Sequence, residues 1–126
     1  MYAIPVTYTD YNDVERSEKF YFNLTQAEIA EMELSTTGGF AESIQKIVDA
    51  KDTAEIIKVF KKLVLSAYGI KTEDGRGFRK SAMIRDEFEC SAAYSEIFMK
   101  LATDDDAASA FIKGIVPASV AKELDK

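Results

Sequence analysis

The chain has no histidine, no tryptophan and a single cysteine, Cys90. Without histidine it lacks the commonest general base and the commonest metal ligand. One thiol forms neither an internal disulfide nor a thiolate zinc site, which fits a reducing cytosol. Long apolar runs are missing too. No stretch approaches the roughly 18 apolar residues of a membrane span. Met1 to Tyr11 has no basic start followed by an apolar run, so no signal peptide is expected. Basic charge is also short: 16 Lys and Arg stand against 22 Asp and Glu, a net charge of -6. Nucleic acid and anionic lipid repel such a chain, so neither is an expected partner. Only a local basic patch stays open.

What is present suits one modest core. The 126 residues are 47% apolar, enough for a single domain. Its parts read as a hairpin over 1–23, a helical part over 24–117 and a polar tail over 118–126. In the hairpin, Ile4, Val6 and Tyr8 alternate at period two. Asp10-Tyr11-Asn12-Asp13 is turn chemistry, because Asp and Asn bond their own backbone and tolerate left-handed geometry. On the return strand Val14, Arg16, Glu18, Phe20 and Phe22 share one face, and Ser17, Lys19 and Tyr21 the other. Pro5 has no amide hydrogen, which places its strand at an edge or the proline at a bulge.

Helical signals follow. Thr25 and Glu28 have capping-box spacing, ahead of Ala27, Ile29, Ala30 and Met32. Ser35 to Gly39 stops that helix. Phe40 to Ala50 predicts a second helix, with Phe40, Ile44, Ile47 and Val48 on one stripe. Asp52 is a predicted N-cap for a third. Its stripe of Ile56, Ile57, Phe60, Leu63, Val64 and Ala67 is predicted core, and Gly69 is its predicted end. Ile70 to Lys80 is the one net basic stretch and reads as a loop or short hairpin. Ser81 to Glu89 predicts a helix with Met83, Ile84 and Phe88 inward. Ser91 is placed to cap the next, which carries Tyr94, Ile97, Phe98 and Leu101. Asp104-Asp105-Asp106 opens the last helix, which Gly114 and Pro117 close. The fold class is therefore α+β: an N-terminal β-hairpin or small antiparallel sheet, then a mainly helical bundle of about five helices.

No constellation for catalysis emerges. The three consecutive aspartates lack the ligand spread, turn glycine and late glutamate of a calcium loop, so they read as a helix start. Gly75-Arg76-Gly77 matches neither the P-loop nor the dinucleotide pattern; it reads as a solvated loop, with a partner-contact loop as the alternative. Cys90 reads as a buried or inert thiol, and the serines lack a Ser-His-Asp context. Glu31 and Glu33 read as a solvated helix face. No cofactor and no metal site are expected. The aromatics say more. Eight Phe and six Tyr exceed what so small a core should bury, and exposed apolar patches mark partner surfaces. Tyr2, Tyr11, Tyr21 and Phe78 stand at segment edges.

Several segments are familiar in their order. Thr7-Tyr8-Thr9-Asp10-Tyr11, Glu18 to Thr25, Asp74-Gly75-Arg76 and Phe78-Arg79-Lys80 resemble the tail assembly chaperones of long-tailed phages of Gram-positive bacteria. Ala93 to Met99 and Ala110 to Pro117 do so as well. The resemblance spans nearly the whole chain and rests on pattern, since such chaperones have no active-site signature. It implies a non-enzymatic protein that binds the tape measure protein, and in some cases other tail proteins, and keeps it from aggregating during tail tube assembly. It also implies residence in the host cytoplasm and absence from the mature virion. Self-association through the same patches is expected. Under this reading the partner-binding residues are Tyr11, Tyr21, Phe78, Arg76, Arg79, Tyr94 and Phe98. Two other readings stay open: a structural tail or head-completion protein, and an inhibitor of a host or defence protein. The first 35 residues hold seven acidic and two basic side chains, which gives the inhibitor reading its only support.

Overall fold

The computed structural model describes residues 1–35 and 53–117. The elements run β1 (Tyr2–Thr9), β2 (Glu15–Phe22), α1 (Gln26–Ser35), α2 (Thr53–Ala67), β3 (Tyr68–Lys71), β4 (Phe78–Arg79), α3 (Ala82–Glu89), α4 (Ala92–Thr103) and α5 (Asp105–Ile115). The strands form one sheet in the order β1-β2-β3-β4, antiparallel throughout. The fold is thus α+β, with four strands and five helices among the described residues. The predicted helix over Phe40 to Ala50, the cap at Asp52 and the tail over 118–126 lie outside those residues.

The hairpin forms as its alternation predicts. Ile4 pairs with Phe20, Val6 with Glu18 and Tyr8 with Arg16. One face therefore carries Tyr2, Ile4, Val6, Phe20 and Phe22, and α4 and α5 lie against β1. Asp10 builds the turn: its Oδ1 accepts from the amides of Asn12 at 2.8 Å and Val14 at 3.0 Å. Asp13 takes a left-handed φ of 61°, a conformation Asp tolerates better than most residues. Pro5 sits on an edge strand, where a missing amide donor costs no ladder bond.

The helices are capped largely where the sequence signals it. The Thr25 amide donates to Glu28 Oε1 at 3.0 Å and the Glu28 amide to Thr25 Oγ1 at 3.1 Å, a reciprocal capping box. Ser81 and Ser91 accept from the Ile84 and Tyr94 amides. Asp104 Oδ1 accepts from the amides of Asp106 and Ala107, so the acidic run starts a helix. On α2, Phe60, Leu63, Val64 and Ala67 are buried while Ile57 is exposed. These join Ile4, Phe22, Leu24, Phe88, Ile97, Leu101, Phe111 and Ile115 in one core. Each such side chain stabilises the fold by roughly 1.5–3 kcal/mol relative to exposure.

Two glycines act differently from the sequence reading. Gly69 does not end α2. The helix stops at Ala67, and Gly69 lies inside β3 opposite Tyr21. A Cβ there would meet Phe78 Cε2 at 2.6 Å and the Arg79 carbonyl at 2.9 Å, so the bare backbone lets the Phe78 ring cross the strand. Gly114 lies within α5, not beyond it, and the Tyr2 ring rests on it. Of the residues expected inward on α3, Met83 is 68% exposed, whereas Phe88 is buried as expected.

Candidate functional site

The two faces of the sheet have different chemistry. On the helix side most rings are absorbed by packing. Tyr2, Phe22, Phe60 and Phe111 meet at centroid distances of 5.3 to 5.9 Å. Tyr68 stacks on Phe88 at 4.0 Å, and Phe88 meets Tyr94 at 5.4 Å and Phe20 at 5.7 Å. Phe98 bridges Tyr94 and Phe60. Such pairs add about 0.5–1.5 kcal/mol each beyond burial. The apparent aromatic surplus is thereby mostly structural. Among the described aromatics only Tyr11, at 82%, is fully exposed, and Tyr2 is a packing residue.

The opposite face of the sheet carries a different set of side chains. Pro5, Thr7, Ser17, Lys19 and Lys71 are exposed on it, while Tyr21 and Phe78 are half-buried. Strand alternation puts them together: Tyr21 is opposite Gly69 and Lys71 is opposite Phe78. Lys71 Nζ lies 4.7 Å above the Tyr21 ring and Lys80 Nζ 5.6 Å from the Phe78 ring, distances that allow cation–π attraction. Thr7 and Ser17 hydroxyls bond across the hairpin at 3.0 Å.

Next to this face, the β3–β4 loop is held by its own side chains. The Thr72 hydroxyl donates to Asp74 Oδ1 at 2.7 Å, and the Arg76 amide donates to the same oxygen at 3.0 Å. These bonds, the Thr72 hydroxyl first, hold the Asp74 carboxyl below its usual range. Gly75 supplies the left-handed φ of 74°. Ile70, Lys71, Thr72, Glu73, Asp74 and Arg79 line an open depression of about 600 Å³ that carries both signs of charge. Lys80 anchors the loop: its Nζ donates to Glu28 Oε2 at 2.5 Å and to the Asn23 carbonyl at 2.7 Å. Burial raises the Glu28 pKa, but the Lys80 bond and the Thr25 amide together outweigh it, and the net shift is downward.

The seven residues singled out from the sequence therefore fall in five places. Tyr21 and Phe78 flank Gly69 on the open sheet face. Arg76 is exposed in the loop, and Arg79 is exposed on β4, across from Ile70. Tyr94 and Phe98 are half-buried on α4, at the margin of the ring network. Burial raises the Tyr94 phenol pKa, and the Glu89 carboxylate adds to it. Tyr11 stands alone at the hairpin tip. Sequence reasoning missed Lys19, Lys71 and Gly69. The hairpin alternation already put Lys19 beside Tyr21, and the short hairpin read as one option for Ile70 to Lys80 forms as β3 and β4, but the pairing of Tyr68 and Gly69 with β2 was invisible.

Nothing else in the described residues groups as chemistry. No three Cys, Asp or Glu converge there as metal ligands, and no described helix is long and apolar enough to cross a membrane. Cys90 is exposed, not buried, since it is the C-cap of α3. The arrangement offers surfaces for binding: an open, cationic and aromatic sheet face, a braced loop beside it and a tyrosine at a hairpin tip. No curated protein and no solved structure matches the chain. A family model described as phage tail assembly chaperone matches residues 1–126, and the chain belongs to that family.

Proposed function

We propose that the protein binds the tape measure protein and keeps it in solution while the tail tube assembles. The observation that carries this reading is the family match over all 126 residues. The physical character of the chain supports it. A tape measure chain presents long amphipathic helices, which dock by laying apolar side chains into a partner's surface. Here Tyr11, Tyr21, Phe78, Tyr94 and Phe98 are the proposed apolar contacts, with Arg76 and Arg79 at the rim. The net charge of -6 keeps a crowded complex from aggregating. Weak single contacts repeated over many copies then hold a long client by avidity. In this reading the protein works by binding and not by turnover, as one folding unit, in the host cytoplasm, and leaves before the virion is complete.

Co-expression with the tape measure protein tests it. The expected result is a soluble, recoverable complex, with the chaperone missing from purified virions by mass spectrometry. A tape measure protein that stays insoluble and uncaptured refutes the client; a stoichiometric band in the virion would make the protein a structural component.

A further inference from the structure

The open sheet face holds cations that the fold leaves unneutralised. The β2–β3 register pairs Tyr21 with Gly69 and Phe22 with Tyr68. By strand alternation Lys19, two residues before Tyr21, and Lys71, two residues after Gly69, lie on that same face. Among the described residues three ion pairs form, Arg16–Asp10, Lys61–Glu89 and Lys80–Glu28, and none involves Lys19 or Lys71. Of the nearby acids, Asp74 is held by Thr72 and the Arg76 amide, and Glu15 lies at the far end of β2, opposite Thr9. Glu73 lines the same depression as Lys71 but forms no ion pair with it. In a chain with six more acids than bases, two lysines on one face without an ion pair are a feature that the fold's own stability does not require.

Their surroundings make a platform. Gly69 lets Phe78 lie across the strand, Tyr21 stands beside it under Lys71, and the exposed Pro5, Thr7 and Ser17 extend the surface over β1 and β2. Aromatic rings flanked by cations suit a ligand with apolar side chains next to carboxylates.

We propose that the Lys19–Lys71 face is a docking site for an acidic amphipathic segment of a protein partner. This rests on the client-binding reading above and names the chemistry of the bound segment. Two cations on a chain of net charge -6 are too few to hold a nucleic acid, whose affinity grows with the number of phosphates neutralised. They suffice for a Glu- or Asp-bearing segment whose apolar side chains cover Tyr21 and Phe78.

The test compares wild type with a Lys19→Gln/Lys71→Gln variant. The probes are a helical Glu/Leu/Ala peptide, its Lys/Leu/Ala counterpart and an oligo-dT strand, each titrated while amide NMR signals are followed. The acidic peptide should shift the signals of Tyr21, Gly69, Lys71 and Phe78. The variant should bind it about ten-fold more weakly, yet melt at the same temperature or higher. Preference for the basic peptide, tighter binding of oligo-dT, or equal binding by the variant overturns the proposal. The same variant is then co-expressed with the tape measure protein. If wild type and variant both keep that client in solution equally well, this face is not its dock, although the client reading stands. If wild type itself fails, the client reading falls, and the peptide titration still decides whether the face takes an acidic segment.

Discussion

Replacing Gly114 with alanine sets two opposed effects against each other, and the structure decides which is larger. By propensity alone, Gly→Ala inside a helix stabilises by roughly 0.5–1 kcal/mol. The gain is at the low end here, because Gly114 is the penultimate residue of α5. Against it stands Tyr2. A Cβ on Gly114 would lie 3.0 Å from Tyr2 Cγ and 3.1 Å from Cε1, with Cδ1 closer still. The ring must therefore move. It then loses its edge contact with Phe111, now at 5.8 Å, which is worth about 0.5–1.5 kcal/mol, and part of its burial. Overpacking of this kind costs about 1–3 kcal/mol. The expected net result is a loss of about 1–2 kcal/mol. In a Tyr2→Ala background the obstacle is gone, and Gly114→Ala should stabilise by about 0.5 kcal/mol. Urea unfolding of the four proteins in this double-mutant cycle measures the sign change directly. Stabilisation by Gly114→Ala in the wild-type background, or a coupling energy below about 0.5 kcal/mol, would refute the account of how β1 is locked onto α5.

Three further outcomes are expected. Phe60→Ala should cost about 3–5 kcal/mol by chemical unfolding, since Phe60 is buried against Phe98 and Phe111; a loss below about 1 kcal/mol would place the α2 stripe outside the core. Glu28→Gln keeps the capping geometry but removes the charge facing Lys80. Its folded pKa lies below the ordinary Glu value of about 4.3, so the stabilisation is complete above that pH and is lost as pH falls through the folded value. Allowing for the exposure of the pair, the variant should be weaker by about 1 kcal/mol at neutral pH and converge on wild type as pH falls below the folded value; a difference that persists once the carboxyl is protonated would exclude the ion pair as its source. Asp13→Gly should leave stability equal or raise it by up to about 1 kcal/mol, because glycine adopts the left-handed φ without cost, whereas Asp13→Val should lower it by about 1–2 kcal/mol; equal Tm values for the two variants would show that the turn does not need this conformation.

The sequence alone determined those features whose causes are local. Period-two alternation fixed both faces of the hairpin, down to Lys19 and Tyr21 opposite to Phe20 and Phe22. Caps at Thr25 and Ser91 were legible because a cap needs only one side-chain oxygen and an amide two or three residues on, and the acidic run from Asp104 read as a helix start. The absence of histidine and the solitary Cys90 likewise bounded the chemistry, because a missing side-chain type is missing in every fold the chain could adopt. What tertiary structure decided were contacts between segments far apart in the chain. A glycine looks the same in sequence whether it ends a helix or admits a ring; only the positions of Phe78 and Tyr2 gave Gly69 and Gly114 their roles. Four residues from Tyr68 to Lys71 are too few to show periodicity, yet Tyr68 and Gly69 pair with β2 and Ile70 and Lys71 with β4, which makes them a strand and puts Lys71 over Tyr21. Composition suggested spare aromatics, but burial is a property of the assembled core, and the packed rings left Tyr11 fully exposed while Tyr21 and Phe78 remained half-covered on the open face.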